Sequence, residues 1–167
     1  SQLRINGGTL EPTSSFALGT GRNVIVGFDG ATISVPDGVD FSYAGVLASD
    51  ANPVSTANGY QYANATNQDA GDLIKTGAGR FILNGTATNG TWNGQLIVEE
   101  GFLRAAPTAN HSTFLGSDWS ATDATVIKDG GTFELAAGAD WTNNEWFFIE
   151  GRSEEHTSEL QSRITIS

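Results

Sequence analysis

The chain contains no cysteine, no methionine, only 4 prolines and few charges. Without cysteine there is no disulfide framework, no thiolate metal site and no cysteine nucleophile. Charged residues make up 16% of the 167, well under the roughly 25% of an ordinary globular domain. Lys and Arg number 8 against 19 Asp and Glu, for a net charge of −11. That balance repels a polyanion at long range and argues against nucleic acid as a partner. No apolar run approaches the roughly 18 residues of a membrane helix, so membrane insertion by this segment is not expected, and no signal peptide opens the chain. With Met missing even at position 1, the sequence reads as a piece of a longer product. What it has instead is glycine, 21 residues of it, and a hydrophobic content of 38%. Those values fit one domain of ordinary size whose core is thin and built from short segments.

Residues 152–167 break from the rest, with clustered Glu and no glycine after Gly151. The run from Arg152 to Ser162 resembles the in-frame translation of a common sequencing adapter. The biological sequence is therefore expected to end near Gly151, with 152–167 a non-biological tail to be set aside from fold reasoning. The alternative is a real C-terminal amphipathic helix, but the spacing of Leu160, Ile164 and Ile166 does not sustain an apolar stripe.

Along residues 1–151 a short pattern returns, a Gly-rich turn followed by alternating apolar residues. It appears at Gly7–Leu10, Gly30–Val35, Gly79–Leu83, Gly101–Leu103 and Gly130–Leu135. Aligning Leu10, Ile33, Phe81, Leu103 and Phe133 gives steps of 23, 48, 22 and 30. The 48 reads as close to two steps and the 30 as one step with a longer loop, a noisy period in the low twenties typical of solenoids. Between the turns the alternation has period two: Ile33 and Val35 flank Ser34, Leu96 and Val98 flank Ile97, Phe133 and Leu135 flank Glu134. These segments are β-branched and aromatic, so they read as strands. Asn-Gly recurs at Asn6, Asn58, Asn84, Asn89 and Asn93 and supplies the positive φ of tight turns. Stacked parallel about 4.8 Å apart, such strands would share backbone hydrogen bonds and form inward ladders. The expected core is Ile33, Val35, Leu73, Phe81, Leu83, Leu96, Val98, Leu103, Phe133 and Leu135. Residues 49–70, rich in Ala, Asn, Ser and Asp with Tyr60 and Tyr62 embedded, read as an inserted loop.

The run Asp72–Gly85 resembles the autotransporter-associated β-strand repeat, whose core is Leu-x-Lys-x-Gly-x-Gly-x-Leu-x-Leu-x-Gly. Leu73, Lys75, Gly77, Gly79, Phe81, Leu83 and Gly85 occupy those places, with Phe81 standing for the usual Leu. The family continues through an aromatic–x–Gly corner, a strand and a Gly-x-Leu-Arg finish. Trp92–Gly94, Gln95–Val98 and Gly101–Arg104, with Leu103, match it. Looser units at Arg22–Val35 and at Leu115–Gly116 with Val126–Leu135 extend the likeness over most of residues 16–151. The resemblance implies an all-β fold, a right-handed single-stranded parallel β-helix (β-solenoid) segment. It further implies a structural passenger or stalk of a secreted or outer-membrane-anchored Gram-negative adhesin. The adjacent β-helix coils of the same full-length chain would be its partners, with host-surface or polysaccharide ligands as candidates.

Candidate chemistry is sparse. Asp29, Asp37 and Asp40 around one turn, and the adjacent Glu99 and Glu100, invite a carboxylate-pair hydrolase reading. Yet Asp29-Gly30 and Asp37-Gly38 are ordinary turn dipeptides, and Glu99 and Glu100 point to opposite faces if the strand continues. No calcium loop is present, and Asp37 with Asp40 offers at best a weak adventitious cation site. His111, the lone His outside the tail, sits in a polar loop without a triad partner. Lys75 reads structurally, its stem covering apolar surface and its ammonium meeting an acidic neighbour. Among the aromatics, Trp92 reads as a corner plug and Trp146–Ile149 as a strand of the next coil, leaving Tyr60 and Tyr62 as candidate ligand contacts. The reading is thus a non-enzymatic, cofactor-free, metal-free extracellular stalk. A carbohydrate-binding or polysaccharide-degrading module on the same scaffold is the alternative, and an antiparallel β-sandwich a third.

Overall fold

The computed structural model describes residues 1–49, 54–55, 60–61, 71–85, 92–108, 115, 123–137, 146–151 and 164–166. The protein is all-β. Its strands are β1 (Gln2–Ile5), β2 (Gly8–Leu10), β3 (Phe16–Leu18), β4 (Asn23–Val26), β5 (Ala31–Ser34), β6 (Asp40–Tyr43), β7 (Leu47–Ser49), β8 (Val54–Ser55) and β9 (Tyr60–Gln61). The order continues with β10 (Leu73–Thr76), β11 (Arg80–Gly85), β12 (Leu96–Val98), β13 (Gly101–Pro107), β14 (Thr125–Ile127), β15 (Gly131–Leu135), β16 (Phe147–Ile149) and β17 (Ile164–Ile166).

Three parallel sheets carry all of these except β8 and β9. The first is β1-β4-β7, the second β16-β14-β12-β10-β5-β2 and the third β17-β15-β13-β11-β6-β3. Early in the chain the strands visit the first, second and third sheets in rotation, so each pairs with its counterpart one circuit later. Ladders run Leu10–Ile33–Lys75–Val98–Ile127–Ile149 in the second sheet. In the third they run Phe16–Phe41–Phe81–Leu103–Phe133. The antiparallel arrangement of a sandwich is confined, among the described residues, to the short β8–β9 pair.

This register corrects the sequence alignment at one point. Leu10 and Ile33 belong to the second sheet, whereas Phe81, Leu103 and Phe133 belong to the third. Ile33 pairs with Lys75 and Phe81 with Phe41, so the span of 48 is not two repeats. It is one circuit of 42 residues, from Ile33 to Lys75, lengthened between β7 and β10 where β8 and β9 pair, plus the six residues from Lys75 to Phe81 in the third sheet. Both ladders on either side of that insertion resume without slipping.

Alternation decides which side chains enter the core. Ile33 and Val35, Leu96 and Val98, and Phe81 and Leu83 are buried, while Ser34, Ile97 and Ile82 between them are less so. Leu73, Leu103 and Phe133 are buried with them, and Leu135 is half-buried against the same cluster. Trp92 and Leu115, between third-sheet and second-sheet strands, join this core as well. Within the third sheet, parallel register stacks Phe16 on Phe41 at 5.8 Å and Phe41 on Phe81 at 5.5 Å, with rings 6° and 13° from parallel. The strand Ile164–Ile166 pairs with Phe133–Leu135, a period-two placement that its Ile-Thr-Ile pattern suits.

An inward charge without a partner costs several kcal/mol. Replacing Leu83 or Val98 by Asp is expected to abolish most of the β circular-dichroism signal. Ala17→Asp, on an exposed position of β3, should leave it intact; equal spectra for all three variants would overturn the inward ladder.

Candidate functional site

The run Leu73–Gly85 supplies β10, a corner and β11, and its most polar inward group is Lys75. In the second-sheet ladder Lys75 stands between Ile33 and Val98, so its side chain enters the core, where it is fully buried. An ammonium has three donors and no acceptor. Nζ donates to Thr76 O at 2.8 Å, Gly77 O at 2.6 Å and Glu100 O at 3.0 Å, so every donor is used. Its hydrogen bonds go to three backbone carbonyls at the corners of two successive circuits, and the acidic neighbour, Glu100, acts through its charge and its carbonyl. Burial pushes Lys75 down from its ordinary 10.5 to about 8, against the pull of the Glu100 charge. The amine joins one circuit to the next and is sealed from solvent.

The glycines of the motif fall into two kinds. Gly77 and Gly101 have φ of 75° and 73°, and a Cβ on either would strike backbone of the preceding circuit, Val35 beside Gly77 and Gly79 O beside Gly101. Gly79 and Gly94 have no positive φ, so the turn reading of Asn93-Gly94 is corrected. A Cβ at Gly79 would meet Pro36 O and Val39 O, and one at Gly94 would meet Gly71 O and the Trp92 indole. Gly85 closes β11 with φ 107°.

Two polar features escape a reading of the sequence. Tyr43 Oη accepts from Val24 N at 2.9 Å and donates to Val46 O at 2.7 Å, with Arg22 O 3.0 Å away. It ties together the strands flanking that corner, and burial raises the Tyr43 hydroxyl from 10.0 to about 12. On the outer face of the third sheet, Arg80 reaches past one circuit to Glu134 at 2.7 Å and also meets Asp40 at 3.2 Å. Its guanidinium lies 5.1 Å from the Phe102 ring centre, and Arg104 also approaches Glu134 at 3.8 Å. The hydrogen bond to Glu134 raises the Arg80 pKa further. The period-two position of Tyr43 next to Phe41 signals its inward direction. Nothing in the sequence signals the Arg80–Glu134 pairing, because their separation of 54 residues acquires meaning only with the register.

The candidate carboxylates are dispersed. Asp29, on the corner after β4, accepts from Asn6 Nδ2 at 2.6 Å and returns a bond from its own N–H to Asn6 Oδ1 at 2.9 Å. Asp40 belongs to β6 and is held by Arg80. Asp29 precedes β5 and Asp40 opens the strand that follows it, so the reading of Asp29, Asp37 and Asp40 as one turn cluster is corrected. Glu99 and Glu100 are both exposed, and the bond from Glu99 N to Lys75 O carries the ladder as far as Glu99. Among the described residues no three His, Cys, Asp or Glu side chains gather to hold a metal ion. Tyr60 opens β9, while Tyr62, His111, Trp119 and Trp141 lie outside the described residues. No protein-family model, curated protein or solved structure matches the chain.

The two buried titrating groups act on stability with opposite signs. Between about pH 8 and 10.5 the unfolded chain holds the Lys75 proton and the folded one releases it, so stability rises with pH. Between about 10 and 12 the folded chain keeps the Tyr43 proton and the unfolded one loses it, so stability falls. The urea midpoint should therefore climb from about pH 7.5 to a maximum near 10 and decline beyond. The Lys75 limb is at most about 3 kcal/mol. Lys75→Met should flatten that limb, and a level wild-type profile from about 8 to 10 would refute the assignment.

Proposed function

We propose that this chain is a segment of right-handed parallel β-helix serving as the stalk of an autotransporter-like adhesin passenger, secreted or held at a Gram-negative cell surface. The observation that carries the reading is the unbroken register through the six strands of the second sheet and the five strands β15-β13-β11-β6-β3 of the third. Inward side chains of successive circuits touch only the circuits before and after, so stiffness and length grow by repetition while the outer loops vary. The Leu-x-Lys-x-Gly-x-Gly run gains a physical reason here. Lysine ties two circuits through carbonyls, and the glycines permit backbone contact at the corner.

The first circuit supports a role for neighbouring coils as partners. Leu3, Leu10, Phe16 and Leu18 border an open apolar cavity of about 440 Å³, and Phe16 is 53% exposed. That end suits a further rung laid on top. A polysaccharide-degrading reading needs carboxylates converging on one groove. Asp29 and Asp40 are tied to Asn6 and Arg80, and of the pair that does share a cavity, Asp29 and Asp72, the first is held by Asn6 and the second accepts from Gln95 N at 3.0 Å.

Antibodies raised against the 167-residue chain should label intact source cells or their culture fluid without permeabilisation. Labelling seen only after lysis would sink the extracellular stalk.

A further inference from the structure

The outward side of the second sheet differs from that of the third. Where the third carries Arg80, Arg104 and Glu134, the second carries a ladder of Thr32, Ile74, Ile97, Val126 and Phe148. Ile74 and Ile97 are half-buried, Val126 is buried with 6% exposed, and Phe148 is 41% exposed, stacked beside Trp146 at 6.5 Å. Two open cavities lie on this face. One, about 400 Å³, is bordered by Phe28, Asp29, Asp72, Thr32 and Ile74; the other, about 330 Å³, by Ile97, Val126, Phe148, Lys128 and Glu150. The Ile74–Ile97 pair joins them.

Acidic groups flank the apolar ladder on both sides. Two residues before Ile74 stands Asp72, with Asp29 in the same cavity. Two residues beyond the ladder, backbone bonds from Glu99 N, Lys128 N and Glu150 N continue the register, placing these three side by side on successive circuits. The one base among them, Lys128, is already bound to Glu150 at 3.0 Å. The face is therefore greasy along its middle and negative along its margins.

We infer that this face docks a cationic amphipathic helix of a partner polypeptide, laid along the stack of circuits and across the strands. The dimensions agree. Four circuit steps from Thr32 to Phe148 span about 19 Å at the usual strand spacing, which a helix of about 13 residues covers at about 1.5 Å each. The margins, two residues to each side, stand about 13 Å apart, close to the roughly 10–12 Å diameter of a helix. Lys or Arg side chains flanking an apolar stripe would reach Asp29 and Asp72 on one side and Glu99 on the other. A glycan would need hydrogen-bonding side chains along its path, and the ladder from Ile74 to Phe148 presents only hydrocarbon. An acidic segment would be repelled.

The test titrates the 167-residue chain with a synthetic Leu/Lys amphipathic helical peptide of about 13 residues, by calorimetry. The same peptide with Glu for Lys, one of equal composition with its stripe scrambled, and an uncharged oligosaccharide serve as controls. Only the first should bind, more weakly as salt rises. Ile97→Thr with Phe148→Ser should weaken it about tenfold or more, and Glu99→Gln should reduce its salt dependence, circular dichroism confirming that each variant is folded. Equal binding of the scrambled peptide, or no loss in the folded double variant, would reduce the effect to polycation adsorption and overturn the proposal. Binding of the oligosaccharide in place of the peptide would overturn it too.

Discussion

Parallel strands stacked one circuit upon another must approach to about 4.8 Å over their whole length, corners included. The strands satisfy this by ordinary ladder hydrogen bonds; the corners are harder. At Gly71, Gly77, Gly79, Gly94 and Gly101 the space where a Cβ would stand is already occupied by backbone, most of it from the circuit before. These positions are where the repeat is least tolerant, because a side chain there would push neighbouring circuits apart and break the ladders on both sides. A hydrophobic inward residue can be exchanged for another of similar size, whereas the corner glycines have no substitute. The Gly-rich composition thus follows from the stacking distance.

The same closeness explains how an ammonium and a phenol come to be buried. The corner through 76–79 turns carbonyls toward the core, where an acceptor left unpaired is costly; Thr76 O takes a bond from Val35 N at 3.0 Å as well as from Lys75. Lys75 meets Thr76 O and Gly77 O of its own circuit and Glu100 O of the next. At the corner near Gly45, Tyr43 reinforces Val46 O and Val24 N, which also bond to each other at 3.0 Å. Each long side chain starts at an inward ladder position and ends at a corner. The desolvation that lowers the Lys75 pKa is the cost of that arrangement, partly offset by three short hydrogen bonds.

Much of this is legible from alternation alone. Period two separates Phe81 and Leu83 from Ile82 and places Leu96 and Val98 inward, because a strand leaves no third direction for a side chain. What alternation cannot supply is which strand belongs to which sheet. Leu10 and Phe81 follow equally good Gly-rich turns, and nothing local distinguishes a second-sheet strand from a third-sheet one. Equating them turns one lengthened circuit into two. The motif locates Lys75 but not its direction, since charge argues for the surface and only the register with Ile33 and Val98 forces it inward. The Arg80–Glu134 pair is invisible for the same reason.

That a circuit can absorb the insertion between β7 and β10 shows where information about partners can be stored in such a chain. Closing a longer loop costs only about 0.6 kcal/mol per doubling of length, while slipping the register by one residue would turn every inward side chain to solvent. Ile33 therefore still meets Lys75, and Phe41 still meets Phe81, across 42 and 40 residues. The inward ladders are held by stacking, and variation falls to the loops and to the outward positions. The two outward faces have diverged on that freedom. The third-sheet face ties itself shut with Arg80, Arg104 and Glu134, while on the second-sheet face the ladder side chains from Ile74 to Phe148 cannot pair with one another through charge. Parallel sheets are ordinarily covered on both faces, so an outward apolar ladder on one of them is where this fold has surface to give to a partner.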